Sequence, residues 1–99
     1  MTMPRFYWEV SPGTYHIDVT NEDILKGVRG DASLCAIARA VKRALDLEDA
    51  EIEGSKIRMG YLRGEGPRAI DAFIATYDSA GRVEPFAFDL TLEPTEPLD

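Results

Sequence analysis

The chain has a single cysteine, a single histidine and a single tryptophan in its 99 residues. One thiol, Cys35, cannot close an internal disulfide. Cys35 and His16 together fall short of the four ligands a structural zinc site takes. Such sparing cysteine use predicts a reducing compartment. No apolar run approaches the roughly 20 residues of a membrane-spanning helix. The start, Met1-Thr2-Met3-Pro4-Arg5-Phe6, has no basic stretch leading into an apolar one, so no signal peptide is predicted. There is no internal repeat and no low-complexity segment. These absences predict a cytoplasmic protein that holds no cofactor and no metal and does not enter a membrane.

What is present suits one folded domain. A chain of this length can bury a single hydrophobic core. Its apolar fraction of 44% and charged fraction of 29% are ordinary for a globular protein. The domain is expected over 1–92. The acidic, Pro-rich stretch 93–99 is expected to fray. Net charge is −7, unevenly spread. Residues 26–68 carry nine cations and seven anions, whereas 69–99 carry one and seven. An acidic protein is repelled by nucleic acid on average and is favoured by basic protein surfaces.

Residues 5–10 are aromatic and β-prone, and Ser11-Pro12-Gly13-Thr14 suits a type II turn. Tyr15-His16-Ile17-Asp18-Val19 alternates with period two, which completes a hairpin. Thr20 can cap a helix, with Glu22 and Asp23 in its first turn. Gly27 and Gly30 keep that helix short. Leu34, Ile37, Ala38, Val41, Ala44 and Leu45 recur at helical spacing, behind a cap at Asp31 or Ser33. Residues 46–53 lead through the Gly54-Ser55 turn into a strand over 56–62, bulged at Gly60. Pro67 opens a third helix with the stripe Ile70, Phe73, Ile74 and Tyr77. Pro85–Leu92 is a last strand with Phe86, Phe88, Leu90 and Leu92 on its core face. Without the first strand and first helix the order is β-α-β-β-α-β. The expected fold is α+β: a small antiparallel sheet with two main helices on one face, in ferredoxin-like (split βαβ) order.

One segment carries a family look. It runs Val19-Thr20-Asn21-Glu22-Asp23-Ile24, then Gly27-Val28-Arg29-Gly30-Asp31, then Cys35-Ala36-Ile37-Ala38-Arg39-Ala40-Val41-Lys42-Arg43-Ala44. Further on, Phe73-Ile74, Tyr77-Asp78 and Val83-Glu84-Pro85-Phe86-Ala87-Phe88-Asp89-Leu90 add to it. This pattern resembles a family of short uncharacterised bacteriophage and prophage proteins. Members often have Pro after the Cys, where this chain has Ala36. Pro there would fit a first helical turn, so the pattern places the helix start near residues 33–35. The resemblance implies a phage or prophage origin and names no activity.

Four sets of residues bear on function. Cys35, near a helix start, has only His16 as an imidazole partner for nucleophilic chemistry; a small buried hydrophobe is the simpler role. Arg29-Gly30-Asp31 reads as a bend and a cap, with Arg29 paired to a carboxylate. Arg39, Lys42, Arg43, Arg58 and Arg63 offer a basic face for nucleic acid, beside Tyr61 for stacking. Asp46, Glu48, Asp49, Glu51, Glu53 and Asp89 offer an acidic surface for a basic protein groove, and Tyr7 and Trp8 offer aromatic anchors.

Three functions follow from these sets. The leading one is a phage-type accessory protein, not an enzyme, that binds a host protein and inhibits a defence or regulatory function through an acidic surface. The second is a nucleic-acid-binding regulator using the central basic segment. The third is a small Cys-dependent enzyme.

Overall fold

The computed structural model describes residues 10–60 and 62–94. The predicted first strand apart from Val10, and so Phe6, Tyr7 and Trp8, lies outside them, and so does Tyr61. In chain order the elements are β1 (Gly13–Val19), α1 (Asn21–Lys26), α2 (Ala36–Leu45), β2 (Glu51–Glu53), β3 (Lys56–Met59), β4 (Leu62–Glu65), α3 (Ala69–Asp78) and β5 (Phe86–Pro94). The strands form one antiparallel sheet in the order β1-β5-β4-β3-β2. Helices pack on it, and the fold is α+β.

Alternation decides which side of the sheet is buried. Ile17, Ile52, Ile57, Leu62, Leu90 and Leu92 point to one face and are buried there. Helix α2 closes this face with Ile37, Ala38, Val41 and Leu45, and α3 with Ile70, Phe73 and Tyr77. Every described residue of the alternate set is exposed, from Glu51 on β2 to His16 on β1. A sheet covered on one side and wet on the other reads as strict alternation, which is how these strands are written.

The strand order departs from the split βαβ expectation. There the first strand stands between the last strand and the hairpin. Here β5 stands between β1 and β4. The cause is Gly60, expected as a bulge. It takes φ 61° and the chain reverses between Met59 and Leu62, which pair with each other. The expected single strand 56–62 is therefore two, and β5 docks on the second of them. Glu93 and Pro94, read with the tail, continue β5 against Arg63 and Leu62.

Two members of the α2 stripe also differ. Ala44 is exposed, and Leu34 precedes the helix and is half-exposed. The connector before α2 instead makes an Asp31-capped turn. The Asp31 Oδ1 atom accepts from the Ser33 N–H at 2.9 Å and the Leu34 N–H at 3.1 Å.

Candidate functional site

The short helix α1 is held by one buried carboxylate. Asp23 is 0% exposed and sits at the third helical position. Its Oδ2 accepts the Thr20 N–H at 2.9 Å, and Thr20 Oγ1 accepts the Asp23 N–H at 3.2 Å. This is a reciprocal capping box. Arg43 of α2 grips the same carboxylate with both terminal nitrogens, at 2.6 and 2.8 Å, and also reaches the Asp18 carbonyl at 2.9 Å. Arg39 Nε stands 3.5 Å from Asp23 Oδ1. Burial pushes the Asp23 carboxyl up, but hydrogen bonds from Arg43 and Thr20 outweigh that and hold it below its ordinary value. The basic residues of α2 thus brace the fold, Arg43 with both guanidinium ends and Arg39 through Nε. Lys42 does likewise, donating to the Ser33 carbonyl at 2.7 Å.

The Gly27–Asp31 segment ties this pair of helices to the end of α3. Arg29 Nη1 donates to the carbonyls of Tyr77 and Gly81, and its guanidinium lies 4.4 Å from the Tyr77 ring centre. The expected carboxylate partner is replaced by two carbonyls, that of Tyr77 in the last turn of α3 and that of Gly81 just beyond it. The Gly30 N–H donates to Asp78 Oδ1 at 2.8 Å, and Tyr77 Oη donates to the Ile24 carbonyl at 3.1 Å. The tripeptide is a structural clamp.

The Cys35–His16 pair does not form. Cys35 is the buried N-cap of α2, on the inner side of the sheet. His16 is exposed on the outer side. Burial pushes the Cys35 thiol up, and hydrogen bonds from the backbone of Ala38 and Ile37 oppose that without reversing it. The expected thiolate-favouring helix start loses to desolvation.

The basic candidates are also divided. Arg39, Lys42 and Arg43 lie on α2, while Arg58 and Arg63 lie on the outer face of the sheet. That face has no aromatic side chain among the described residues. Its pattern is set by strand register. One row across four strands reads Glu51, Arg58, Arg63, Glu93. The next reads Glu53, Lys56, Glu65, Thr91. Except for Glu51, these rows line a shallow trough of about 550 Å³. Asp89, opposite on β5, and Asp18, two positions along β1, flank His16 at 3.1 and 3.2 Å. Of the acidic candidates, Glu51, Glu53 and Asp89 share this face. Asp46 ends α2 in a left-handed conformation, φ 56°, and Glu48 and Asp49 are exposed in the loop beyond it.

A second surface was not foreseen from the sequence. Leu25, Val28 and Leu34 are 76%, 47% and 47% exposed. Val28 and Leu34 border a groove of about 500 Å³ with Lys26, Arg39 and Lys42 along its sides. The signal for it was present: Leu34 lies before the Asp31-capped turn is complete, so it cannot share the helix stripe.

No group of His, Cys, Asp and Glu among the described residues is arranged to hold a metal ion. No described helix is long and apolar enough to cross a membrane. No protein-family model, curated protein or solved structure matches the chain.

Proposed function

We propose that this chain is a phage-type accessory protein that acts in the host cytoplasm by binding a host protein and inhibiting it. The contact surface is the outer face of the sheet. The observation that carries the reading is the charge pattern of that face. Among the described residues of that face, Asp18, Glu51, Glu53, Glu65, Asp89 and Glu93 are set at strand spacing around only Lys56, Arg58 and Arg63 as full-time cations. A nucleic acid presents charge of one sign, and this face opposes it with twice as many carboxylates as cations. A folded protein surface, mainly basic with carboxylates facing the arginines, answers each group in turn. Such complementarity supplies specificity and speed of association. The phage assignment is supported by the residue pattern of Val19–Ala44.

The test is capture from host extract, comparing the native chain with the triple variant E51K/E53K/D89K. The expected result is a defined partner whose binding weakens about tenfold or more in the variant and falls with added salt. Tight RNA binding with a steep salt dependence, and no captured protein, would overturn the reading.

A further inference from the structure

The groove beside α1 has the opposite character to the sheet. Val28 and Leu34 are brought together by the loop between them. The Val28 N–H donates to the Leu34 carbonyl at 2.8 Å, and the Asp31 N–H returns to the Val28 carbonyl at 3.3 Å. Arg29 and Gly30 clamp that loop to α3. Two large apolar side chains are therefore presented by a fixed backbone, which lowers the ordering cost of a contact made with them. Leu25, on the exposed side of α1, is a further exposed apolar side chain three residues before Val28. Exposed apolar side chains gathered in this way mark an interaction site more than scattered ones do.

The surroundings select the ligand. Lys26, Arg39, Lys42 and Arg43 border the groove, and Glu22 is the one carboxylate lining it. Arg39 is held through Nε, 3.5 Å from Asp23 Oδ1, and its side chain is one-third exposed. Lys26 is held by Glu22 at 2.9 Å, but this pair is wet and easily exchanged. A basic groove on a chain of net charge −7 is a local feature in an unfavourable overall field. At physiological salt, charges more than about 8 Å apart are largely screened. A short anionic ligand confined to the groove feels the cations. An extended polyanion or an anionic bilayer also meets the acidic remainder of the molecule.

We infer that this groove docks an acidic peptide segment of a partner protein, anchored by bulky apolar side chains on Val28 and Leu34 and by its carboxylates on Lys26, Arg39 and Lys42. This site is independent of the outer sheet face and takes a ligand of opposite sign, so either can fail alone.

The test uses the full chain, isotope-labelled, with a fluorescein-labelled synthetic peptide of alternating Glu and Asp around two leucines at helical spacing. A peptide with Lys in place of every acid is the control. The acidic peptide is expected to bind saturably, with amide shift changes confined to residues 20–43. V28S/L34S is expected to weaken it about tenfold or more, and K26E several-fold. Both variants change exposed side chains; should the first fail to fold, K26E still decides. The charge-reversed E51K/E53K is expected to leave peptide binding unchanged. Equal binding of the basic peptide, unchanged affinity in K26E, or no shift changes in the groove would overturn the inference. So would shift changes there from phosphatidylserine vesicles or single-stranded DNA with none from the peptide.

Discussion

His16 shows what a residue gains from its register. It stands opposite Asp89 and two positions from Asp18, and both ring nitrogens meet a carboxylate. Only the protonated ring can donate to both. The hydrogen bond to Asp89 and the charge of Asp18 raise its pKa above the ordinary 6.5. The sign of the linkage follows. A raised folded value means that the interaction stabilises the fold fully below about 6.5 and is lost as pH rises through the folded value. NMR titration of the ring is expected to give a midpoint above 6.5, lowered by Asp89→Asn and by salt. Asp23 works in the reverse sense. Its depressed carboxyl contributes above its ordinary 3.8 and loses that contribution as pH falls through the lower folded value. Removing its main partner leaves a buried charge held by Thr20 and by a longer contact to Arg39. Arg43→Met is expected to cost about 2–3 kcal/mol in urea unfolding, discounted because Arg43 is half-exposed. Lys42→Met, losing one hydrogen bond to a carbonyl, is expected to cost about 1 kcal/mol.

At the scale of elements, the junction of α1, α2 and α3 closes on Gly27. A Cβ there would lie 2.5 Å from Tyr77 Oη, 2.7 Å from the Ala36 nitrogen and 2.8 Å from the Asp23 carbonyl oxygen. Two of these are backbone atoms of separate helices and cannot both retreat. Gly27→Ala is expected to destabilise the fold by about 1–3 kcal/mol, read as a lowered urea midpoint with Tyr77 fluorescence reporting the loosened contact. Local signals such as these caps were legible in the sequence. Thr20 and Asp23 announce a helix start by chemistry that acts within four residues, and Phe88, Leu90 and Leu92 announce a buried face by period alone. Gly60 misled because a bulge and a reversal both ask for a residue at ease with positive φ. Leu34 misled because its spacing continued the helical series through a turn that Asp31 had yet to finish. Arg29 could be marked as an anchor, but the Tyr77 carbonyl it finds is brought near by the whole fold. The sites divided in the same manner: residue types were visible, and their sides of the sheet were not.

Across the whole molecule, charge is sorted by face. The cations of α2 and Lys26 gather on the helical side around the groove, and carboxylates predominate on the outer sheet. A count along the chain had joined Arg39, Lys42 and Arg43 to Arg58 and Arg63 in one basic segment. Because the sheet stands between them, no single ligand surface can use both groups. The order of strands has a further consequence, for the making of the protein. Among the described strands β5 is the last in sequence, yet it lies between β1 and β4 and supplies the ladders that join them. Until it is translated, β2, β3 and β4 can fold as a local meander while β1 waits and β4 keeps an open edge. Closing the sheet then requires pairing between opposite ends of the described chain, a slow step for the kinetics of folding. During that interval the open edge of each nascent chain can accept a strand from its neighbour on the same messenger RNA, so expression at high ribosome density carries an aggregation hazard that the finished molecule does not have.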